Sequence, residues 1–326
     1  MTSMTMLEAI NATLRDEMAR DDRVLLLGQD VAQLGGVFRA TEGLLERFGP
    51  DRVVDMPLAE AVIVGAAIGL AAAGLVPVAE MQFLGFSHQA FHQIGAQLAR
   101  MRYRSQGRFP MPVVLRAPFG GGVRTPELHS EALEAQFVQS PGLQVVMPAT
   151  AADAKGLLQT AIRQPDPVLF CEPLRGYRLV RDEVPDGDAP VPFGTARVAR
   201  EGDDVTIIAW SAAVHVARRA ADRLAEENIS AAVLDLRTLV PLDEAGILDA
   251  VAATGRAVVV HEAPFTGGFG AEVVATISDG AFYSLEAPVA RVCPPDTPYP
   301  AGKIEDYYLP SVERVVAAAR ATVKAP

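Results

Sequence analysis

Short apolar runs recur along the chain, and stretches with helical spacing separate them. Thr5 and Glu8, three residues apart, form a capping-box pair ahead of a stripe made by Met6, Leu7, Ile10, Leu14 and Met18, which predicts an amphipathic helix. Strand-like runs follow at 23–27, 52–55, 76–80, 113–117, 143–147 and 167–172, with helical stretches at 59–73, 87–104, 129–138 and 151–163. Near-continuous Val and Leu runs alternating with helices predict a parallel sheet covered on both faces. Between 173 and 204 the pattern lapses, and Asp182, Glu183, Asp186 and Asp188 fall among prolines and glycines, the composition of a solvated connector. Alternation then resumes, with strands at 205–210, 231–236, 257–262 and 289–293, intervening helices, and a last helix at 311–324. The expected class is α/β in two domains, each a mostly parallel sheet flanked by helices. Residues 1–180 form the first, 181–203 the linker and 204–326 the second.

A length of 326 residues supports the same division, since a domain takes about 150. Half the residues are apolar, enough for a large core. Lys and Arg number 29 against 40 Asp and Glu, a formal charge of −11. Such a surface repels phosphate backbones and anionic lipid, so neither nucleic acid nor membrane is an expected partner; a basic protein partner is compatible. The stretch 61–79 carries no charge over 19 residues, long enough to cross a bilayer. Glu60 and Glu80 flank it, and Gly74 and Pro77 interrupt it, so it reads as a helix buried nearly all round, a turn and a buried strand. No secretory signal is expected in 1–17. Cys171 and Cys293 sit in strand-like surroundings and read as buried free thiols, in keeping with a reducing cytoplasm.

Most chemical signatures are missing. There is no Walker-type phosphate loop and no nucleophile elbow. Gly268-Phe-Gly270 follows a strand, but Val273 replaces the third glycine of a dinucleotide fingerprint, so a tight strand-to-helix turn is the plainer reading. His88 and His92 have zinc-binding spacing, yet Gln89 breaks the metalloprotease motif and no third ligand stands out. Gly120-Gly121-Gly122 would let a backbone approach a ligand closely, or would serve loop geometry alone. His129 follows that loop at a predicted helix start, and a lone histidine is more often structural than catalytic. Glu60 is the most informative residue. It opens a helix built of Ala, Gly, Ile and Val, where it either caps the helix dipole or stands partly desolvated, able to exchange a proton with a ligand.

These residues carry a resemblance that runs from end to end. The stretches are Gly28-Gln-Asp-Val31, Gly35-Gly-Val-Phe-Arg39, Thr41-Glu-Gly-Leu44, Asp55-Met-Pro-Leu-Ala-Glu60, Glu80-Met-Gln-Phe83 with Gly85-Phe86, Arg116, Gly120-Gly-Gly-Val123, Thr125-Pro-Glu-Leu-His129, Leu234-Asp-Leu-Arg-Thr238 and Asp296-Thr-Pro-Tyr-Pro300. Taken together, the chain resembles the β subunit of the thiamine-diphosphate-dependent decarboxylating component of 2-oxoacid dehydrogenase complexes, of the transketolase-like family.

The resemblance implies a pyrimidine-binding domain followed by a transketolase C-terminal-type domain. It further implies an α2β2 heterotetramer in which the α subunit holds the diphosphate and its magnesium while the β chain holds the aminopyrimidine. Family members of this kind ligate magnesium through Gly-Asp-Gly and a later Asn; Gly187-Asp188-Ala189 and Gly202-Asp203-Asp204 fail that pattern. Carried over by position, Glu60 would hydrogen-bond the pyrimidine ring nitrogen, promoting proton removal from the thiazolium carbon, and carbon dioxide would leave a 2-oxoacid. The acyl unit would pass to a lipoyl group on the acyltransferase core. Phe86 would pack on the pyrimidine, Gln82 and Leu58 would line the same pocket, and His129 would stand at its mouth for proton transfer or lipoyl docking. Some members hold potassium at positions matching Val113, Ala161, Ile162, Gln164 and Asp166. His92 and Met56 depart from the acidic residue and the threonine frequent in relatives. The Thr125–His129 run is closest to pyruvate-using bacterial members; branched-chain 2-oxoacid and acetoin enzymes share nearly everything else, and a non-catalytic scaffold subunit is a third reading.

Overall fold

Thr5 opens the first helix as its sequence predicts. Its hydroxyl accepts the Glu8 N–H at 3.2 Å, while the Glu8 carboxylate accepts the Thr5 N–H at 2.7 Å. The helix Met6–Arg20 then buries Met6, Ile10, Leu14 and Met18. A computed structural model describes residues 1–325.

Fourteen strands are present among the described residues: β1 Thr2–Thr5, β2 Val24–Gly28, β3 Val53–Asp55, β4 Val76–Glu80, β5 Val114–Phe119, β6 Gln144–Val146, β7 Val168–Pro173, β8 Arg181–Val184, β9 Arg197–Arg200, β10 Val205–Ala209, β11 Ala231–Asp235, β12 Thr238–Val240, β13 Ala257–Val260 and β14 Ala290–Val292. Seven form a sheet in the order β12-β6-β7-β5-β4-β2-β3, parallel except for β12. Five form a second sheet, β14-β13-β10-β11-β9, parallel except for β9. The α/β reading with two mostly parallel sheets therefore holds.

Several local expectations change. The segment read as a solvated connector carries two strands, because β8 pairs antiparallel with β1 and β9 edges the second sheet. β8 (Arg-Asp-Glu-Val) and β9 (Arg-Val-Ala-Arg) are short, charged strands at exposed edges, which composition alone reads as loop. β12 leaves the second sheet's part of the chain to pair with β6, so the first sheet is completed by residues far downstream. One apolar core accordingly runs from Leu27, Ile63 and Leu115 through to Trp210, Leu234 and Val259. The expected helix 87–104 is a 3-10 turn over Leu84–Ala90, a wider π-type turn over His92–Leu98 and a short α-helix Ala99–Arg104.

The helix Glu60–Ala72 departs from the expectation in one respect. Ile63, Val64, Ala67 and Ala71 are buried, but Val62 is 50% exposed, and a Cβ on Gly65 or Gly69 would meet nothing. Its second apolar face lies uncovered in the single chain. No helix among the described residues is long and apolar enough to cross a membrane. Cys171 and Cys293 are free and buried.

Candidate active site

In open parallel sheets, ligands collect beyond the carboxyl ends of the strands, where neighbouring connections leave in opposite directions. In the first sheet that place lies between β2 and β4, since β2 leads to β3 on one side and β4 to β5 on the other. Gly28 ends β2, in register with Asp55 and Glu80 at the ends of β3 and β4. A Cβ on Gly28 would come 2.7 Å from the Glu80 carbonyl oxygen, so glycine is what lets the chain turn away here. The Asp55 carboxylate accepts the N–H groups of Ala32 (2.7 Å) and Gln33 (3.1 Å) and so pins the loop that follows β2.

The predicted site residues converge on this edge. Glu60 opens the helix after β3 and is 6% exposed, and its Oε2 is buried with no hydrogen-bond partner. Gln82, after β4, donates from Nε2 to Asp30 Oδ2 at 3.2 Å. The helix Glu60–Ala72 packs on the Leu84–Ala90 turn, which in turn packs on the Glu127–His129 turn. This brings Phe86 within 5.1 Å of the His129 ring, edge to face, with Phe83 at 4.4 Å on another side. The His129 Nδ1 is buried and also lacks a partner. Leu58 stands 70% exposed at the rim. One face thus offers an unsatisfied carboxyl oxygen, an unsatisfied imidazole nitrogen and an aromatic wall. Buried polar atoms seldom remain unpaired without a ligand or water to meet them. The arrangement fits a flat, nitrogen-bearing heterocycle.

The glycine loop has a structural explanation. A Cβ on Gly120 would come 2.7 Å from Glu262 Oε2, one on Gly121 would overlap the Tyr299 hydroxyl, and one on Gly122 would come 2.6 Å from Arg175 Cδ. The close approach is to side chains of the second domain and the end of β7. Glu262 accepts the Gly121 N–H at 3.1 Å, and Glu305 accepts those of Gly122 (2.8 Å) and Arg124 (3.1 Å). Desolvation raises the Glu262 carboxyl to about 7. These two glutamates position the loop that leads to His129. Sequence reasoning missed both, because they lie more than a hundred residues downstream.

Arg116 is the second omission. It is fully buried and binds Glu172 through Nε (2.7 Å) and Nη2 (2.9 Å) and Glu80 through Nη1 (2.7 Å); the Tyr177 hydroxyl donates to Glu172 as well. Burial raises the Glu80 carboxyl above its ordinary range. Charged residues inside otherwise apolar strands were the available signal.

Other candidates separate from the site. Gly268 and Gly270 pack around His261, whose ring a Cβ on Gly270 would overlap, so the turn reading stands. Burial lowers His261 to about 4, and it stacks on Trp210 at 5.3 Å as a neutral ring. The His92 Nε2 pairs with Gln97, and no group of three or more His, Cys, Asp or Glu that could hold a metal occurs among the described residues. Val113, Ala161, Ile162, Gln164 and Asp166 lie near the amino-terminal ends of β5 and β7, across the sheet from Glu60. The Val113 carbonyl already accepts the Val168 N–H, Gln164 is bonded to Gln144, and Asp166 is bridged to Arg102 at 2.5 Å.

The transketolase pyrimidine-binding domain family matches residues 2–179, and the transketolase C-terminal domain family matches 194–315. The chain is 51% identical to the pyruvate dehydrogenase E1 component subunit beta of Bacillus subtilis, over 98% of each chain. It is 47% identical to the 2-oxoisovalerate dehydrogenase subunit beta of the same organism, again over 98% of each. Among solved structures, a split-gene transketolase described as an inactive β4 tetramer is similar with a TM-score of 0.82, at 26% identity and 99% coverage of both chains.

Proposed function

The chain belongs to the family of pyruvate dehydrogenase E1 β subunits, built from the transketolase pyrimidine-binding and C-terminal domains, and from that premise we infer that it holds the pyrimidine half of thiamine diphosphate for the decarboxylation of pyruvate. The observation that carries this reading is the buried, unpartnered Oε2 of Glu60, at the start of the helix that packs on the turn carrying Phe86, which meets Phe83 and His129. The cofactor, when bound, supplies the electron sink for loss of carbon dioxide.

The residues of this chain have separate tasks. Glu60 presents its buried Oε2 to the ring nitrogen, where a hydrogen bond lets the two groups share a proton. Phe86 and Phe83 form the wall against which the heterocycle packs, and they exclude water. Gln82, fixed by Asp30, and Leu58 border the same edge. His129 offers Nδ1 for a proton at the entrance. The diphosphate and magnesium belong on an α subunit, because the Gly-Asp-Gly pattern is missing from this sequence. The uncovered face of Val62, Gly65 and Gly69 suits such a partner in an α2β2 assembly, since two glycines allow another backbone to approach closely. The acyl group would pass to the lipoyl group of an acyltransferase core in the cytoplasm.

Pyruvate is favoured over a branched-chain 2-oxoacid by the higher identity to the pyruvate dehydrogenase subunit. Co-expression with an α subunit carrying the Gly-Asp-Gly pattern, followed by assay with pyruvate, branched-chain 2-oxoacids and acetoin, tests the reading. Glu60→Gln should assemble normally and lose at least a hundredfold in decarboxylation, in line with removal of an acid–base group. Turnover like that of the parent would return Glu60 to a helix cap in a scaffold subunit.

A further inference from the structure

The second sheet has its own reversal of connections. β10 leads to β11 on one side and β13 leads to β14 on the other, so the crevice beyond the carboxyl ends of β10 and β13 is the corresponding ligand position. A cavity of about 300 Å³ lies there, between the two domains, bordered by Ala212 and Ala213 after β10 and by Glu262 after β13. We propose that this cavity is a second binding site, for a small phosphorylated molecule.

Its charge is the first reason. Arg175, Arg218 and Arg219 line it, and none of the three makes a salt bridge or a side-chain hydrogen bond with another described residue. In a chain of formal charge −11, three unpartnered guanidiniums around one concavity are a concentrated exception. Like charges gathered at a crevice raise the local potential, and forked donors match phosphate oxygens. Two acids also line it, and the guanidiniums outnumber them. Asp182 accepts the Ala151 N–H at 2.7 Å, and Glu262 accepts the Gly121 N–H.

The polar backbone is the second reason. The helix Ala212–Ala225 starts at this cavity without a side-chain cap. The helix start and the three guanidiniums supply donors that suit a phosphate. The size suits a small metabolite, at the lower end of ligand cavities. Arg175 also packs its stem on Gly122, so the site borders the loop that leads to His129.

Calorimetric titration of the full chain with inorganic phosphate and with 3-phosphoglycerate, with and without saturating thiamine diphosphate, tests this. Saturable binding is expected at millimolar or lower concentration, stronger for the larger ligand, and unaffected by thiamine diphosphate. R218A/R219A, at two exposed positions, should weaken it at least tenfold with an unchanged unfolding midpoint, and R218K/R219K should retain most of it. R175Q provides the same comparison should the double variant be unstable. No saturable binding, equal affinity in the alanine variant, or displacement by thiamine diphosphate would overturn the proposal.

Discussion

Gly85 and Leu128 are in direct backbone contact: a Cβ on Gly85 would lie 2.8 Å from the Leu128 carbonyl carbon and overlap its oxygen. The turn carrying Phe86 and the turn carrying His129 can therefore approach only because position 85 has no side chain. Gly85→Ala must push them apart. Forced overpacking costs about 1–3 kcal/mol, and chemical denaturation should show a loss of that size. Decarboxylation by the assembled enzyme should fall far more than stability does. A variant with normal turnover would mean that the two rings need not be held together.

The fully buried Arg116 between Glu80 and Glu172 gives the second expectation. Removing one partner of such a group leaves buried carboxylates without compensation, at a cost of about 3–5 kcal/mol. Arg116→Met should therefore unfold in markedly less urea than the parent. Arg116→Lys should recover little, because an ammonium cannot make the two-pronged contact with Glu172 and also reach Glu80. Equal stability of the three proteins would remove the network from any structural role.

Glu134 gives a pH-dependent expectation. It is fully buried; Trp210 Nε1 lies 3.4 Å from its Oε1, its Oε2 has no partner, and burial raises the carboxyl to about 7. The folded protein keeps this proton up to about pH 7, whereas the unfolded chain gives it up near pH 4. Its favourable contribution is thus complete in acid and is lost as pH rises through 7. Glu134→Gln keeps the neutral form at every pH. Urea unfolding should find the variant about 3–4 kcal/mol more stable than the parent at pH 8, with the gap closing toward pH 4. A constant gap across that range would show that Glu134 does not titrate as proposed.

Much of this architecture is written locally. The capping box at Thr5 and Glu8 sets the first helix, apolar runs set the sheet strands, and a carboxylate followed by a charge-free helical run marks Glu60 before any contact is known. These features depend on neighbours within a turn or a strand, so the order of residues suffices to specify them. Gln82, Phe83 and Phe86 were legible through matched segments for the same reason, lying just after the end of β4.

What the sequence could not specify depends on residues that meet from far apart. The strand pairing of 181–184 with 2–5, the insertion of 238–240 into the first sheet, and the grip of Glu262 and Glu305 on the glycine loop leave no periodic trace, because long-range hydrogen bonds impose no local spacing. The uncovered side of the helix Glu60–Ala72 belongs here too, since an apolar pattern records that a face avoids water without recording what covers it. The amino-acid order determined the elements and the reactive carboxyl; only the folded chain decided which distant charges and donors surround them, because burial and electrostatic pairing are properties of positions in space.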